Sequence, residues 1–582
     1  MGLHPEGGTC IVCAAKRLAI VLCLAVSICF SVPRAQAHDY SSTLPAIRVP
    51  LAASNGSAFD MLAEPVSQFD AACALRLRFV HAGSRKPAAV LVRIIDRDGR
   101  RVRLPGLLSR AAALSPNSVG ASSFVHADSW SIVPGELVVA VPQEVLTIEA
   151  IRGPNSTWFS KTLDLRGKAE ASMEETIEPL IDGAYSWRGG NPHLHLQKMT
   201  LDEAERYACE TAAADGFDVV FLSYLERAEA DLEYISNTFT ADDLARFTKR
   251  SGVLFAYGEE YRHNFVKNSE GYGHVMFLDL KELILPASLG YAITRSSNDD
   301  QPLRDGIIRA RKQDATVLWC HGTQGYEDIP SWFAGLVDVQ MIFDQGSKGT
   351  YESAIYRYLN AGLRVPLATG TDWFFRDMAM AYVQVDEPLT KERWLEALRE
   401  GRSFITNGPL IAFTVNGQPI GSAIDAVPGD TLDVAASIVC RGDFNDLELV
   451  QNGHVVGRAN AVWRDGRFIA EFRQTLPVDE ASWYAVRATP FTANYDKPET
   501  SGVGYNEYGK PYFAHSSPIY VTVNGRDTLL PEAVVSLLDE VRGSRAFVAE
   551  EGDFTSDADR NRLLGIYDEA AESIQQRVAP SK

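Results

Sequence analysis

The spacing of apolar positions changes several times along this chain, and each change marks a different kind of element. Between about residues 44 and 165 the spacing is two: Leu75, Leu77 and Phe79 interleave with Arg76 and Arg78, and comparable runs cover 89–95 and 136–141. Side chains two apart share one face of a strand, and turn signals such as Asp96-Arg97-Asp98-Gly99 separate the runs. An all-β segment of short strands follows, read as a small N-terminal β-sandwich over residues 38–175. His81 and His126 stand alone in it and carry no chemistry.

From about Pro179 to Gly401 the grammar changes. Apolar runs of four to seven residues (219–222, 253–257, 275–278, 316–319, 337–343, 365–368) alternate with amphipathic stretches at 201–215, 242–250, 303–313 and 351–361. Strand-then-helix repetition predicts a mainly parallel sheet or barrel over residues 176–402. Two-fold alternation returns from Ser403 to about Gly525, with Asn-Gly pairs at 416–417, 452–453 and 524–525 as hairpin turns. This predicts a second β-sandwich over 403–526, with a long loop rich in Gly, Tyr, Asn and Pro at 491–513. The last segment, 527–582, reads as a charged helical tail that can pack on the body or serve oligomerisation.

Composition narrows the class. The 582 residues carry a formal net charge of −19, spread along the chain rather than run into blocks, which argues against nucleic acid or an anionic membrane surface as partner. Lys16 and Arg17 precede an apolar run at 18–32, and Ala35-Gln36-Ala37 offers a cleavage site, so residues 1–37 read as a signal peptide. The expectation is a periplasmic or secreted bacterial protein with no membrane span once the signal is removed. Only Cys73, Cys209, Cys320 and Cys440 lie beyond the signal. They are too widely spaced for a disulfide framework and read as buried thiols, with one bridge possible.

Candidate chemistry concentrates in the α/β segment. His193-Leu194-His195 places two imidazoles on one face of an extended strand, half of a transition-metal site. Five of the chain's eleven histidines (His193, His195, His263, His274, His321) fall inside this segment, and polar residues follow most of its strands. Glu259 and Glu260 follow one strand, Cys320 and His321 another, and Thr369-Gly370-Thr371-Asp372 a third. In a barrel, reactive groups gather on the loops at the strands' carboxyl ends.

His193-Leu194-His195, Glu259, His274, His321 and Thr369-Gly370-Thr371-Asp372, in that order, resemble the motifs of the PHP (polymerase and histidinol phosphatase) metal-hydrolase superfamily. The flanking β-segments and Gly401-Arg402-Ser403-Phe404-Ile405-Thr406-Asn407-Gly408-Pro409 resemble its carbaryl-hydrolase-like CehA/McbA branch. The resemblance covers about residues 70–525. It implies a distorted TIM-like (β/α) barrel flanked by the two sandwiches. It further implies one metal on His193, His195, Glu259 and Asp372, and a second on a bridging Glu259 with His274 and His321. Where the superfamily shows Thr-Asp-His this chain has Ser223-Tyr224-Leu225, and where it ends Ser-Asp-x-His the chain has Thr371-Asp372-Trp373-Phe374. The missing residues belong together to the superfamily's third metal site, which leaves a two-metal centre.

Four imidazoles and two carboxylates suit two divalent transition-metal ions: Zn, Mn or Fe. Such a pair activates water as hydroxide at neutral pH and polarises the oxygen under attack. The expected reaction is hydrolysis of an ester or carbamate bond in a small-molecule substrate. Phosphoester hydrolysis is the alternative within the superfamily, and a catalytically degenerate protein binding a glycan or a protein partner is the alternative outside enzymes. Arg262 and His263 are candidates to stabilise an oxyanion or protonate a leaving group, and Tyr224 to hydrogen-bond substrate. Glu260 and Asp344 are weaker candidates, and Cys320 reads as a buried small residue. Trp373, Phe374 and Phe375 offer an apolar wall beside the metals.

Overall fold

Period-two segments become strands wherever one face meets an apolar partner. The computed structural model describes residues 72–578 apart from 105, 182–185, 227–233, 265–270, 291–297, 324, 345–349 and 489–503. The expected signal peptide lies outside these residues, as does most of the 491–513 loop.

At the N-terminal end, strand Ala72–His81 pairs antiparallel with Glu136–Pro142 and parallel with Glu170–Ile177. A second sheet is built on Val90–Asp96 and Val145–Ile151. Leu75, Leu77 and Phe79 from the first sheet and Val92, Ile94 and Ile148 from the second share one buried cluster. The intervening Arg76 faces solvent and pairs with Glu136 at 2.8 Å. The segment departs from the all-β fold that its pattern predicts. Helices Pro116–Val119 and Ala121–Asp128 are inserted, the first opened by a Ser115/Ser118 capping box with proline in its first turn. Their short alanine- and serine-rich stretch has no two-fold alternation to hold it extended.

In the α/β segment, strand Trp187–His195 pairs parallel with Val219–Tyr224, which pairs parallel with Leu254–Asn264. The next strand, Gly273–Leu278, runs antiparallel to both Leu254–Asn264 and Thr316–Trp319. Parallel pairing then resumes through Val339–Met341 to Leu367–Ala368. Asp372–Trp373 returns to the first strand, with Asp372 opposite Leu194 and Trp373 opposite His195, and the sheet closes on itself. Phe221, Ala256, Met276, Leu278, Leu318, Val339, Met341 and Ala368 fill one buried cluster that includes Trp394. The surrounding helices start where the sequence marks them. Leu201–Ala214 opens on a Thr200/Glu203 capping box, and Ala241–Ser251 on Thr240/Asp243 before ending at Gly252 in the left-handed region. Each cap contributes about 1 kcal/mol.

No sheet edge falls at residue 402. Ser403–Thr406 pairs with Met380–Gln384 on one side and Ala514–Ser516 on the other, so the central sheet runs on into the C-terminal β-segment. A separate five-stranded sheet centres on Thr431–Cys440. The molecule is therefore mixed α/β, with several sheets. The tail forms helices Pro531–Glu551 and Asp557–Val578, and Leu537, Val541, Leu563 and Tyr567 bury with Ile329 and Trp332 of the body. Among the described residues no helix is long and apolar enough to cross a membrane. Cys73, Cys209, Cys320 and Cys440 are all buried and free.

Candidate metal centre

Strand direction explains why scattered sequence motifs meet. His193 and His195 sit at the carboxyl end of their strand, and His321, Asp344 and Asp372 follow the ends of three others. His274 opens its strand. Because that strand runs antiparallel, with His274 opposite Arg262, its beginning lies at the same rim as its neighbours' ends.

The carboxylate at the centre is Glu260. Its Oε2 lies 3.0 Å from His195 Nε2 and 3.8 Å from His193 Nε2. Its Oε1 lies 2.9 Å from His274 Nδ1 and 3.8 Å from His321 Nε2. Asp372 Oδ1 completes the first group at 3.4 Å from His193 Nε2 and 3.7 Å from His195 Nε2. Two potential ion sites result, one on His193, His195, Glu260 and Asp372 and the other on Glu260, His274 and His321, with every ligand buried. A third group of donor atoms, from His193, Cys320 and Asp344, adjoins them.

The expected bridging residue, Glu259, is displaced by one position. Side chains alternate along Leu254–Asn264, so Ala256, Gly258, Glu260 and Arg262 share the inner face and Glu259, Tyr261 and His263 the outer. Glu259 Oε2 instead accepts a hydrogen bond from Ile284 N at 2.8 Å, and burial pushes its carboxyl up to about 8. His263 leaves the site for the same reason: its ring lies 4.7 Å from that of Tyr261, and its Nδ1 donates to Gln301 O at 2.6 Å. Tyr224 pairs in register with Glu259, on the outer side, and its hydroxyl donates to Glu226 Oε1 at 3.0 Å. Arg262 does share Glu260's face. It is fully buried, and its charge helps burial to hold His274 down at about 3.

Asp344, named only as a weak candidate from sequence, orients two of the histidines. Its Oδ2 lies 3.3 Å from His193 Nδ1 and 3.2 Å from His321 Nδ1, and accepts from His321 N at 3.3 Å. His195 Nδ1 faces Ser223 O at 3.0 Å. These acceptors favour a proton on each Nδ1, so that a neutral ring turns its Nε2 lone pair toward an ion. The Nε2 atoms of His193 and His195 are 3.1 Å apart, with two carboxylates beside them. Glu260 Oε1 is buried and accepts no hydrogen bond despite its short distance to His274. Without an ion, the carboxylates keep positive charge on the imidazoles, His193 above all, and a divalent cation would supply that charge in place of the proton. The donor set therefore fits divalent metal.

Electrostatics agree. Burial raises the cost of charge on Glu260, but the four imidazoles outweigh it and hold the carboxyl well below its usual range. Burial likewise opposes ionisation of Asp344, and His321 and His193 override it. Burial disfavours charge on His193, yet Asp372 and Asp344 raise its pKa well above 6.5.

The backbone is strained around this rim. His321, Phe343, Asp372 and Phe374 have φ of 58°, 67°, 57° and 54°, left-handed values that cost a non-glycine residue of order 1 kcal/mol or more each. Asn191 ties two of the elements together: Nδ2 donates to Thr371 Oγ1 at 2.7 Å, and Oδ1 accepts from His193 N at 3.2 Å. Of the expected aromatic wall, Trp373 lies 5.0 Å from the His195 ring, whereas Phe374 and Phe375 pack toward Tyr207.

No family model and no curated protein matches the chain. One solved structure that aligns is a Parabacteroides merdae beta-glucuronidase, at 10% identity over 75% of this chain and 62% of that one, with a TM-score of 0.16. The chain thus spans less than two thirds of that protein's length, and so low a score transfers neither fold nor function.

Proposed function

We propose that the protein is a metal-dependent hydrolase. Within that class, the motif order supports the carbaryl-hydrolase-like CehA/McbA branch of the PHP superfamily, with its TIM-like barrel, and an exported enzyme acting on ester or carbamate bonds. The observation that carries the reading is Glu260, whose two oxygens face two separate sets of imidazoles.

Divalent ions held there would supply Lewis acidity toward water and toward the oxygen under attack. The residues do the rest. Glu260 and Asp372 place two negative charges in a buried site and so set its preference for cations. Asp344 keeps the His193 and His321 rings in the tautomer that presents Nε2 inward. Arg262 is the cationic side chain on the site's own face, placed to bind an oxyanion that develops on substrate. Trp373 shields the His195 side from water and offers a flat apolar surface to an aryl or alkyl group. The aromatic surface that Trp373 sets against His195 favours an acyl over a phosphoryl substrate.

Metal analysis of purified protein tests the class. About two ions per chain are expected, with loss in Glu260→Gln and His195→Ala. Folded, metal-free wild-type protein after growth and dialysis with Zn²⁺ or Mn²⁺ would overturn the reading. A screen of aryl esters, aryl carbamates and phosphate monoesters on the loaded protein then decides the bond; turnover of phosphate esters alone replaces the acyl assignment.

A further inference from the structure

The strands that carry the candidate metal centre at their carboxyl ends border a cavity of about 380 Å³ at their beginnings. Trp187 and Arg188 open the strand that ends in His195, and Asp218 immediately precedes the next strand. Six residues of extended chain separate Trp187 from His193, roughly 20 Å. The cavity is thus a different place from the metal centre, and nothing in the proposed hydrolysis uses it. Its volume falls in the range of small-molecule sites.

Its lining has a definite chemistry. The Arg152 guanidinium lies on it in the field of Asp218 but makes no side-chain hydrogen bond among the described residues, and its Nε is sealed from water without an acceptor. Nη1 lies close to Gly216, another lining residue, where a Cβ would come within 3.6 Å of it. Arg188 also lines the cavity and is neutralised by Glu387, so it does not need a second anion. Asp218 is the one carboxylate of the lining and already accepts from Gly189 N at 2.9 Å. The remaining wall combines Asn155, Pro179 and Ile181 with two aromatic rings. Trp187 and Tyr382 line the cavity, and both rest on the Phe404 ring behind, at 4.8 and 5.1 Å.

An arginine that keeps its charge but lacks an acceptor, beside flat apolar surface, matches a planar carboxylate: the guanidinium fork pairs both oxygens while the rings cover the hydrocarbon. We propose that this cavity is a second binding site, for a small planar carboxylate held by Arg152 and by Trp187 and Tyr382. A sugar hydroxyl would offer the Arg152 Nε–H only a neutral acceptor, whereas a carboxylate takes the guanidinium fork with two charged oxygens, so the lining favours the anion.

Calorimetric titration with benzoate, followed in parallel by Trp fluorescence, tests this on the full chain. One saturable site is expected in wild-type protein. Its affinity should be the same after metal removal by chelator and in His195→Ala, which separates this proposal from the fate of the hydrolase reading. Arg152→Gln should weaken binding at least tenfold, and Arg152→Lys less. Ile181→Trp, which fills the cavity from its half-buried rim and leaves the charge in place, should abolish it. Absence of saturable binding to folded wild-type protein overturns the proposal. So does binding unchanged in both Arg152→Gln and Ile181→Trp, or binding lost when the metal centre is disrupted.

Discussion

Glu259 and Glu260 are adjacent, both buried and both carboxylates, yet they face opposite sides of one strand. Only Glu260 reaches the imidazoles. Glu260→Gln should therefore abolish tight metal binding, whereas Glu259→Gln should leave metal content at the wild-type value, a contrast read directly by mass spectrometry of dialysed protein. Asp344 acts through others: removing its charge frees two imidazole rings at once. Asp344→Asn is expected to lower metal affinity roughly 10- to 100-fold, the usual cost of losing a partner that orients a ligand, measured by competition with a chromophoric chelator. At this scale the sequence was only partly legible. His193, His195, His274, His321 and Asp372 stand out by type and order. The choice between Glu259 and Glu260 does not, because Leu254–Asn264 is buried on both faces and carries polar residues on each, so it gives no parity signal. Tyr224 and His263 are misread for the same reason.

The elements work by close approach as well as by ligand type. Gly370 leads into Asp372, and a Cβ there would stand 2.9 Å from both Asn191 Oδ1 and His193 Cβ. Gly370→Ala should push the His193 strand away from the Asp372 loop, lowering metal affinity while the fold persists; unchanged affinity with unchanged far-ultraviolet dichroism would refute that coupling. The tail helices are a second case. Leu563 is fully buried against the body, so Leu563→Ala should cost about 2–5 kcal/mol, visible as a lower urea midpoint. Helical runs at 201–215 and 242–250 and strand runs such as 219–222 were legible, since periodicity is local. The antiparallel turn of Gly273–Leu278 was not, because no short-range pattern states which way a buried strand runs.

For the whole molecule, buried neutral groups set the response to acid. His515 is fully buried, its Nε2 2.8 Å from Tyr356 Oη, and burial pushes its pKa down from 6.5 to about 3. In the unfolded chain it binds a proton near 6.5, so between about pH 6.5 and 3 the unfolded state holds more protons than the native state. Stability from this group is full above pH 6.5 and is lost as pH falls through that window. Thermal midpoints should fall from pH 6.5 downward, and His515→Gln should flatten the slope even if it lowers the plateau; an equal slope would exclude His515 as a contributor. His515 belongs to Ala514–Ser516, the strand that joins the central sheet to the C-terminal β-segment. Acid therefore acts at a seam that the expected boundary at 402 would have placed between two domains.

What the sequence alone determined is what depends on residue type and on neighbours along the chain: the strand and helix runs, the five prominent site residues and their order. Tertiary structure decided what depends on pairing across the sheet. Register and strand direction turned Glu260 inward and Glu259 outward, brought His274 to the rim, and set Asp344 against two histidines from different strands. Those relations have no local signature, because a side chain's direction in a closed sheet is set by strands distant in sequence.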